Sequence, residues 1–413
     1  MILVSWFVRG DTTMKIGYSF WGYLGDTKYD KNGKMASTPD GNAIYSWSII
    51  HQLLRDGHQV YQVMPNRDSV GIGKEGKLLF GWCTNQRYDA LISMVKLYKV
   101  DTNWIDMTKE KLFNIWYNKG LADCDAILHE WRMLIPGRND ATSKMFQGMG
   151  DKSFDYQPDY FIQECLFEFC DLNKIPVIIF DLDYKVSAEE INKLPGCQRI
   201  WLFELGYKWR QFSQARHVEI PFSFDYISEF PLNRGDNIEN NLVYVGNRYE
   251  RDWCIDKYIP TEMSGVTVYG NWLESGRDSA DKWPNIVFGP RVQTADMPGI
   301  YQNSLATVLL AKSEYLENSF MTARIIEAVF YGCVPLFIEE YGEDCIKKYA
   351  GIYAKVLTVR SKSDIINMVY FLRYNDSYRR NMLSYLREHL KFMDVYNFMQ
   401  QVYDIVEIER SRK

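Results

Sequence analysis

Apolar positions along this chain fall into two alternating rhythms, short unbroken runs and longer stretches at helical spacing, and the alternation predicts strands and helices in turn. Met14-Lys15-Ile16-Gly17-Tyr18-Ser19-Phe20 reads as a first strand. A glycine-bearing loop, Trp21 to Gly41, leads to a helix from Ala43 to Arg55 stopped by Gly57, and the strand Gln59 to Met64 ends at Pro65. Such an opening begins a doubly wound sheet. Residues 66 to 120 keep neither period and are expected to be an insertion. Then come the strand Ala126-Ile127-Leu128, a loop from Arg132 to Pro158, an amphipathic helix around Tyr160 to Cys170 and the apolar strand Val177-Ile178-Ile179-Phe180. A short helix (Ala188 to Leu194) and strands at Arg199 to Phe203 and His217 to Ile220 complete this half.

Between Ser228 and Asn241 the residues Pro231, Asn233, Gly235, Asp236, Asn237 and Asn240 cluster as turn formers, which suits an interdomain linker. A second series follows, with strands at Leu242 to Gly246, Val266 to Gly270, Ile286 to Gly289, Ala306 to Leu310 and Val334 to Ile338, and a helix from Phe320 to Tyr331. Ile365 to Ile408 is helical in period, and Arg373 to Lys391, with Arg379 and Arg380, reads as the polar face of a terminal helix. The expected fold class is α/β, two Rossmann-like doubly wound domains facing a central cleft. Residues 1–230 form the acceptor-side domain, 241–390 the second domain, and 391–413 a helix packing back on the first. Ligands of such sheets sit at the carboxyl ends of the strands.

Composition narrows the function classes. With 46% hydrophobic and 24% charged residues the chain is an ordinary globular one, and a net charge of -5 means that a nucleic-acid partner must be met by a local basic face. Eight cysteines without a C-x-x-C pair, and five scattered histidines, suggest neither a zinc site nor a Ser-His-Asp triad. The initial run MILVSWFV lacks a basic start and is too short to span a bilayer, so the expectation is a cytoplasmic monomer away from membranes.

Chemistry concentrates in Tyr315 to Ile338. Helical spacing puts Arg324 and Glu327 on one face, where a carboxylate can accept from a ribose diol and a guanidinium can neutralise a diphosphate. Asn318 or Ser319 is expected to cap that helix and aim its dipole at an anion. Taken alone, the pair is equally an ordinary surface ion pair. Leu242 to Arg251 is a strand entering a glycine turn, Gly246-Asn247-Arg248, with Arg251 just beyond. A glycine there lets backbone approach phosphate, though a surface turn explains the pattern as well. In the first half, the strand ending Phe180-Asp181-Leu182-Asp183 delivers Asp181 to a carboxyl end, where a single carboxylate can take a hydroxyl proton.

In their order, YVGN with its arginines, VYGNW at Tyr269 to Trp272, FGPRV at Phe288 to Val292, Tyr315, FMTARIIE at Phe320 to Glu327 and the strand before Glu339-Glu340 resemble the glycosyltransferases with two Rossmann-like domains (GT-B). Within these they are most similar to the phage DNA β-glucosyltransferases that modify hydroxymethylcytosine. The resemblance covers roughly Ile175 to Leu390. It implies Glu327 on the ribose of UDP, Arg324 and Arg251 on the diphosphate with Arg248 sharing that contact, Gly246 and Asn247 beneath it, Val292 at the uracil and Asp181 as base. The family's carboxylate beside the donor sugar aligns with Lys312, its arginine near the base is replaced by Asp183, and its acidic acceptor side chain corresponds to Asp40 or Asn42.

The reading is therefore an inverting glycosyltransferase moving glucose, or a pentose such as arabinose, from a UDP-sugar to hydroxymethylated pyrimidine in double-stranded phage DNA, in the host cytoplasm. A divalent metal is compatible but not implied. Arg132, Lys208 and Arg210, with Arg138, Arg216, Trp131 and Trp209, are expected to face DNA. A glycan, lipid or protein acceptor, and a non-catalytic nucleotide-sugar-binding protein, remain as alternatives.

Overall fold

The computed structural model describes residues 13–19, 28–29, 35–37, 41–63, 70–72, 78–80, 109–131, 158–182, 184, 186–206, 212–224, 238–274 and 278–412. Ten strands lie before residue 238: β1 Lys15–Ser19, β2 Lys28–Tyr29, β3 Met35–Ser37, β4 Gln59–Gln62, β5 Val70–Ile72, β6 Leu78–Phe80, β7 Ala126–Glu130, β8 Val177–Phe180, β9 Ile200–Glu204 and β10 Ala215–His217. Eight of them form one sheet in the order β10-β9-β8-β7-β1-β4-β6-β5, parallel throughout except for β5 against β6, while β2 and β3 pair separately. The second sheet is wholly parallel, in the order β13-β12-β11-β14-β15-β16, from β11 Asn240–Val245, β12 Val266–Tyr269, β13 Val287–Gly289, β14 Ser304–Leu309, β15 Val334–Ile338 and β16 Thr358–Val359. Two doubly wound α/β sheets bear out the expected fold class.

The sheets are buried on both faces, as parallel sheets must be. One apolar cluster runs from Ile16 and Trp47 through Phe180 and Phe222 to Val243, Ile338 and Val406, so both sheets share it. A second, containing Trp116, Ile127, Phe167, Ile179 and Leu202, fills the other face of the first sheet. The last helix, Val395–Ser411, lies on the first sheet: Phe398 meets Phe180 and Phe203 edge to face, Trp201 Nε1 donates to Glu409 at 3.0 Å, and Tyr403 donates to Asp56 at 2.6 Å.

Four differences from the sequence reading have physical causes. Within 66–120, β5 and β6 extend the first sheet beyond β4, and Lys109–Asn118 is helical, its Trp116 fully buried. The helix expected from Phe320 begins only at Arg324. Asn318 and Ser319 end the preceding helix, Ser313–Glu317, with Asn318 Nδ2 on the Glu314 carbonyl and Ser319 at φ 51, so neither caps the Arg324 helix. Arg379 is 1% exposed, donating to Asp376 and to the Gly332 carbonyl, and so is not on a polar face. Trp131 is also 1% exposed, so it does not stand on the open surface as an interleaved aromatic would. Seven cysteines among the described residues are free thiols, and six of them are buried. No described helix is long and apolar enough to cross a membrane.

Candidate functional site

Three of the expected residues, Gly246, Arg251 and Arg324, act on the buried Tyr244 of β11. Burial pushes the Tyr244 hydroxyl up, while Arg251 and Arg324 both act on it in the opposite sense. Gly246 follows β11 and is held by its N–H on the Tyr269 carbonyl at 2.9 Å and by Trp272 Nε1 on its own carbonyl at 2.7 Å. Gly270 sits opposite at φ 143, and a Cβ there would collide with the Gly246 carbonyl, so two turns close on one another with room for backbone only.

Asn247, Arg248 and Arg251 complete that turn. Arg251 Nη1 donates to the Asn247 and Tyr249 carbonyls at 3.1 and 3.0 Å. Asn271 Oδ1 accepts from the Arg248 N–H at 2.7 Å. Among the described residues Arg251 Nε and Asn271 Nδ2 are buried donors without a partner. Arg248 differs. Its guanidinium is consumed by Asp252 (2.6 and 2.7 Å) and Asp278 (2.6 Å) and lies over Trp283, so it braces the turn instead of facing a phosphate. Asp252 is four residues along the chain, whereas Asp278 is 30 residues away.

Arg324 opens its helix and pairs with Glu327 one turn on. Glu327 is 3% exposed, and burial raises its pKa while Arg324 pulls it back. Arg324 also touches Met297 Sδ at 3.9 Å and feels Tyr45, from the Gly41–Arg55 helix of the first half. Val292 is half-buried against the shared core after β13. Tyr315 meets Phe320 edge to face at 4.9 Å under Lys312, whose Nζ is 4.4 Å from the ring and 2.8 Å from Glu314.

Across from these, Asp181 follows β8 and is fully buried, with the Val186 N–H donating to its Oδ2 at 3.0 Å. Two contacts tie this edge to the second half. Tyr184 meets Phe320 at 5.9 Å, and Gly206, at φ 82, lies so close to the Asn318 carbonyl that no Cβ fits. Behind them Glu219 binds Lys348 and Tyr349, further joining the halves. Asn42 is the second residue of the Gly41–Arg55 helix. Asp40, Asp183, Arg132, Lys208 and Arg210 lie outside the described residues.

Sequence reasoning passed over Asn271, although it stands inside VYGNW, and it passed over His129 and Glu130, which extend β7 beside Asp181. No group of three or more His, Cys, Asp or Glu among the described residues could hold a metal ion.

No family model matches the chain, and no curated protein matches it. Solved structures do. T4 phage BGT in complex with UDP and Mn2+ is 15% identical with a TM-score of 0.53, covering 95% of this chain and 99% of that one. T4 phage BGT with its UDP-glucose substrate is 12% identical at TM-score 0.52, over 97% and 99%. An alpha-glucosyltransferase in complex with UDP and a 13-mer DNA is 11% identical at TM-score 0.55, over 96% and 100%. The chain shares with all three an α/β fold of two Rossmann-like sheets, the GT-B arrangement, over nearly its whole length.

Proposed function

We propose that this protein is an inverting UDP-sugar glycosyltransferase that transfers glucose, or a pentose such as arabinose, to a hydroxymethylated pyrimidine in DNA. The observation that carries this is the pairing of two unlike edges. On the second half, unpartnered donors at Arg251 and Asn271 stand with Arg324 and the buried carboxylate of Glu327; on the first half, Asp181 ends β8 where Tyr184 and Gly206 meet the second half. The similar structures bind UDP, UDP-glucose and, in one case, DNA, which supports the same donor and acceptor classes here.

In this reading Glu327 accepts from the ribose diol, Val292 lines the uracil pocket, Tyr315 flanks the sugar, and Arg251 and Arg324 hold the diphosphate over Gly246 and Asn247. Asp181 takes the proton of the acceptor hydroxymethyl group as its oxygen attacks the anomeric carbon from the face opposite UDP, and the configuration inverts. The bond from the anomeric carbon to the diphosphate oxygen breaks, its electron pair leaving on UDP, which the arginines stabilise as charge develops. A glycan, lipid or protein acceptor is the second reading, favoured by the net charge of -5. The deciding test incubates the protein with a panel of UDP-sugars and hydroxymethylcytosine DNA and weighs the digested nucleosides. A mass gain of one sugar supports the DNA reading; UDP release without any nucleoside gain moves the acceptor elsewhere.

A further inference from the structure

Buried polar groups are almost always paired, because a donor or acceptor removed from water without a partner loses its hydration for nothing. Two exceptions stand together beside Asp181. His129 and Trp131 are two residues apart at the end of β7 and so face the same side of the sheet. Their rings meet edge to face at 5.9 Å, and both pack on Phe167, at 5.6 and 5.9 Å. Glu130 is the register partner of Phe180 and the Trp131 N–H donates to the Phe180 carbonyl at 2.8 Å, which brings Asp181 level with Trp131. The Asp181 charge acts on the His129 ring.

The hydrogen positions follow from the partners. His129 Nε2 lies 2.9 Å from Gln163 Oε1, an acceptor, so Nε2 carries the hydrogen and Nδ1 keeps a bare lone pair. Burial lowers the His129 pKa to about 4, so the ring is neutral at physiological pH. Trp131 Nε1 can only donate. Among the described residues neither His129 Nδ1 nor Trp131 Nε1 has a hydrogen-bond partner, although the two side chains are 4% and 1% exposed.

We propose that His129 Nδ1 and Trp131 Nε1 form an acceptor-and-donor pair that reads the hydrogen-bonding edge of the acceptor pyrimidine while Asp181 faces its hydroxymethyl group. The inference rests on the transferase reading above and names the element that recognises its acceptor. A pyrimidine presents an N–H donor beside a carbonyl or ring-nitrogen acceptor on one edge, the complement of one bare acceptor beside one bare donor. In a duplex that edge is occupied by the opposite base, so the pair is engaged only by an extruded nucleotide. A site built from unpaired polar groups rejects a ligand that fails to pair far more strongly than an apolar pocket does.

The test measures sugar transfer to three duplexes that differ at one nucleotide: 5-hydroxymethylcytosine, 5-hydroxymethyluracil, and 5-hydroxymethylcytosine dimethylated at N4. With the wild-type protein, dimethylation should cut kcat/KM at least 10-fold. Trp131→Phe, which keeps an aromatic ring and deletes the N–H, should raise KM for the better base at least 10-fold and shrink the preference between the two unblocked bases at least 5-fold, with UDP affinity unchanged. The wild-type comparison stands whether or not the variant folds. Equal transfer to blocked and unblocked cytosine, or a variant that binds UDP and keeps both KM and base preference, assigns the pair to an ordered water and overturns the proposal. UDP-sugar hydrolysis without transfer to any of the three duplexes overturns the DNA reading itself, and this inference with it.

Discussion

Glu327 and Arg324 share an ion pair yet are assigned different parts of the donor, and that allows their roles to be separated by ligand. Glu327→Gln keeps the shape and one acceptor oxygen but loses the charge on which two ribose hydroxyls are proposed to donate. A charged hydrogen bond contributes about 1–3 kcal/mol, and the remaining amide oxygen retains part of it, so the loss is set at about 1–2 kcal/mol, or roughly 5- to 30-fold in Kd. Uridine and UDP should suffer alike, because both carry the ribose. Arg324→Ala should cost UDP a similar amount and leave uridine nearly untouched. It also strands Glu327 at 3% exposure without its counter-charge, so the comparison is made across a pH series. Burial already raises the Glu327 pKa. The sign is then fixed: ribose affinity is fully present at high pH and falls as pH drops through a value above that of an ordinary glutamate, and in Arg324→Ala that fall moves to higher pH. Protonation favours the folded apo protein over the same range, since the folded state binds that proton more tightly than the unfolded chain. Isothermal titration of uridine and UDP against both variants decides the matter. Equal loss of uridine and UDP in Arg324→Ala at every pH of the series, or intact affinities in Glu327→Gln, would refute the division of labour.

Asp181→Asn should keep UDP affinity and melting temperature, since an amide oxygen still accepts from the Val186 N–H, while turnover falls about 100-fold or more; near wild-type turnover places the base elsewhere. Lys348→Met strips the counter-charge from Glu219, whose side chain is 15% exposed, and should cost about 3 kcal/mol in urea unfolding, the low end for a broken buried pair because Tyr349 still donates to it. Burial opposes the Glu219 charge, yet His217, Lys348 and Tyr349 together hold its pKa below the usual carboxylate range, so its stabilisation is present above the unfolded value and lost as pH falls through the folded one; a variant with unchanged acid sensitivity contradicts this. Gly270→Ala drives a methyl group at the Gly246 carbonyl from a backbone angle that L residues avoid, and should weaken UDP binding at least 10-fold by calorimetry while the first half keeps its hydrogen-exchange protection.

The grouping of residues on the proposed donor side was legible because it is local. Arg324 and Glu327 lie three residues apart on one helix, and Gly246 to Arg251 form one turn, so spacing alone brings them together. What spacing could not show is which arginine is spent: Arg248 is taken by Asp278, 30 residues on, a pairing that exists only once β11 and β12 lie side by side. The same holds at β7. The strand appeared to stop at Leu128 because His129 and Glu130 interrupt the apolar run, yet the ladder to β8 continues through Glu130. Polar residues in a buried strand contradict local propensity, and such contradictions gather where a protein does chemistry. Arg379 failed for the complementary reason. Its charge marked it as surface, but the Gly332 carbonyl and Asp376 satisfy it in the interior.

The two halves contribute different groups to one proposed reaction, so the contacts that join them set the distance over which that reaction must occur. The Gly206 and Asn318 backbones touch without room for a Cβ, and Tyr184 reaches Phe320. Both lie on the loops after β9 and β8, the second of which also carries Asp181, and both meet the segment immediately before the Arg324 helix. A displacement at this seam therefore shifts Asp181 relative to Arg324 and Glu327 without altering either cluster internally. Binding of UDP depends on one half and should survive, whereas transfer depends on a near-attack geometry that an error of about 1 Å can slow 100-fold. Gly206→Ala applies that displacement, since its φ of 82 and the Asn318 carbonyl leave a methyl group no place. The expected result is an unchanged UDP affinity with turnover reduced at least 10-fold; loss of both together would mean that the donor site is itself built across the seam.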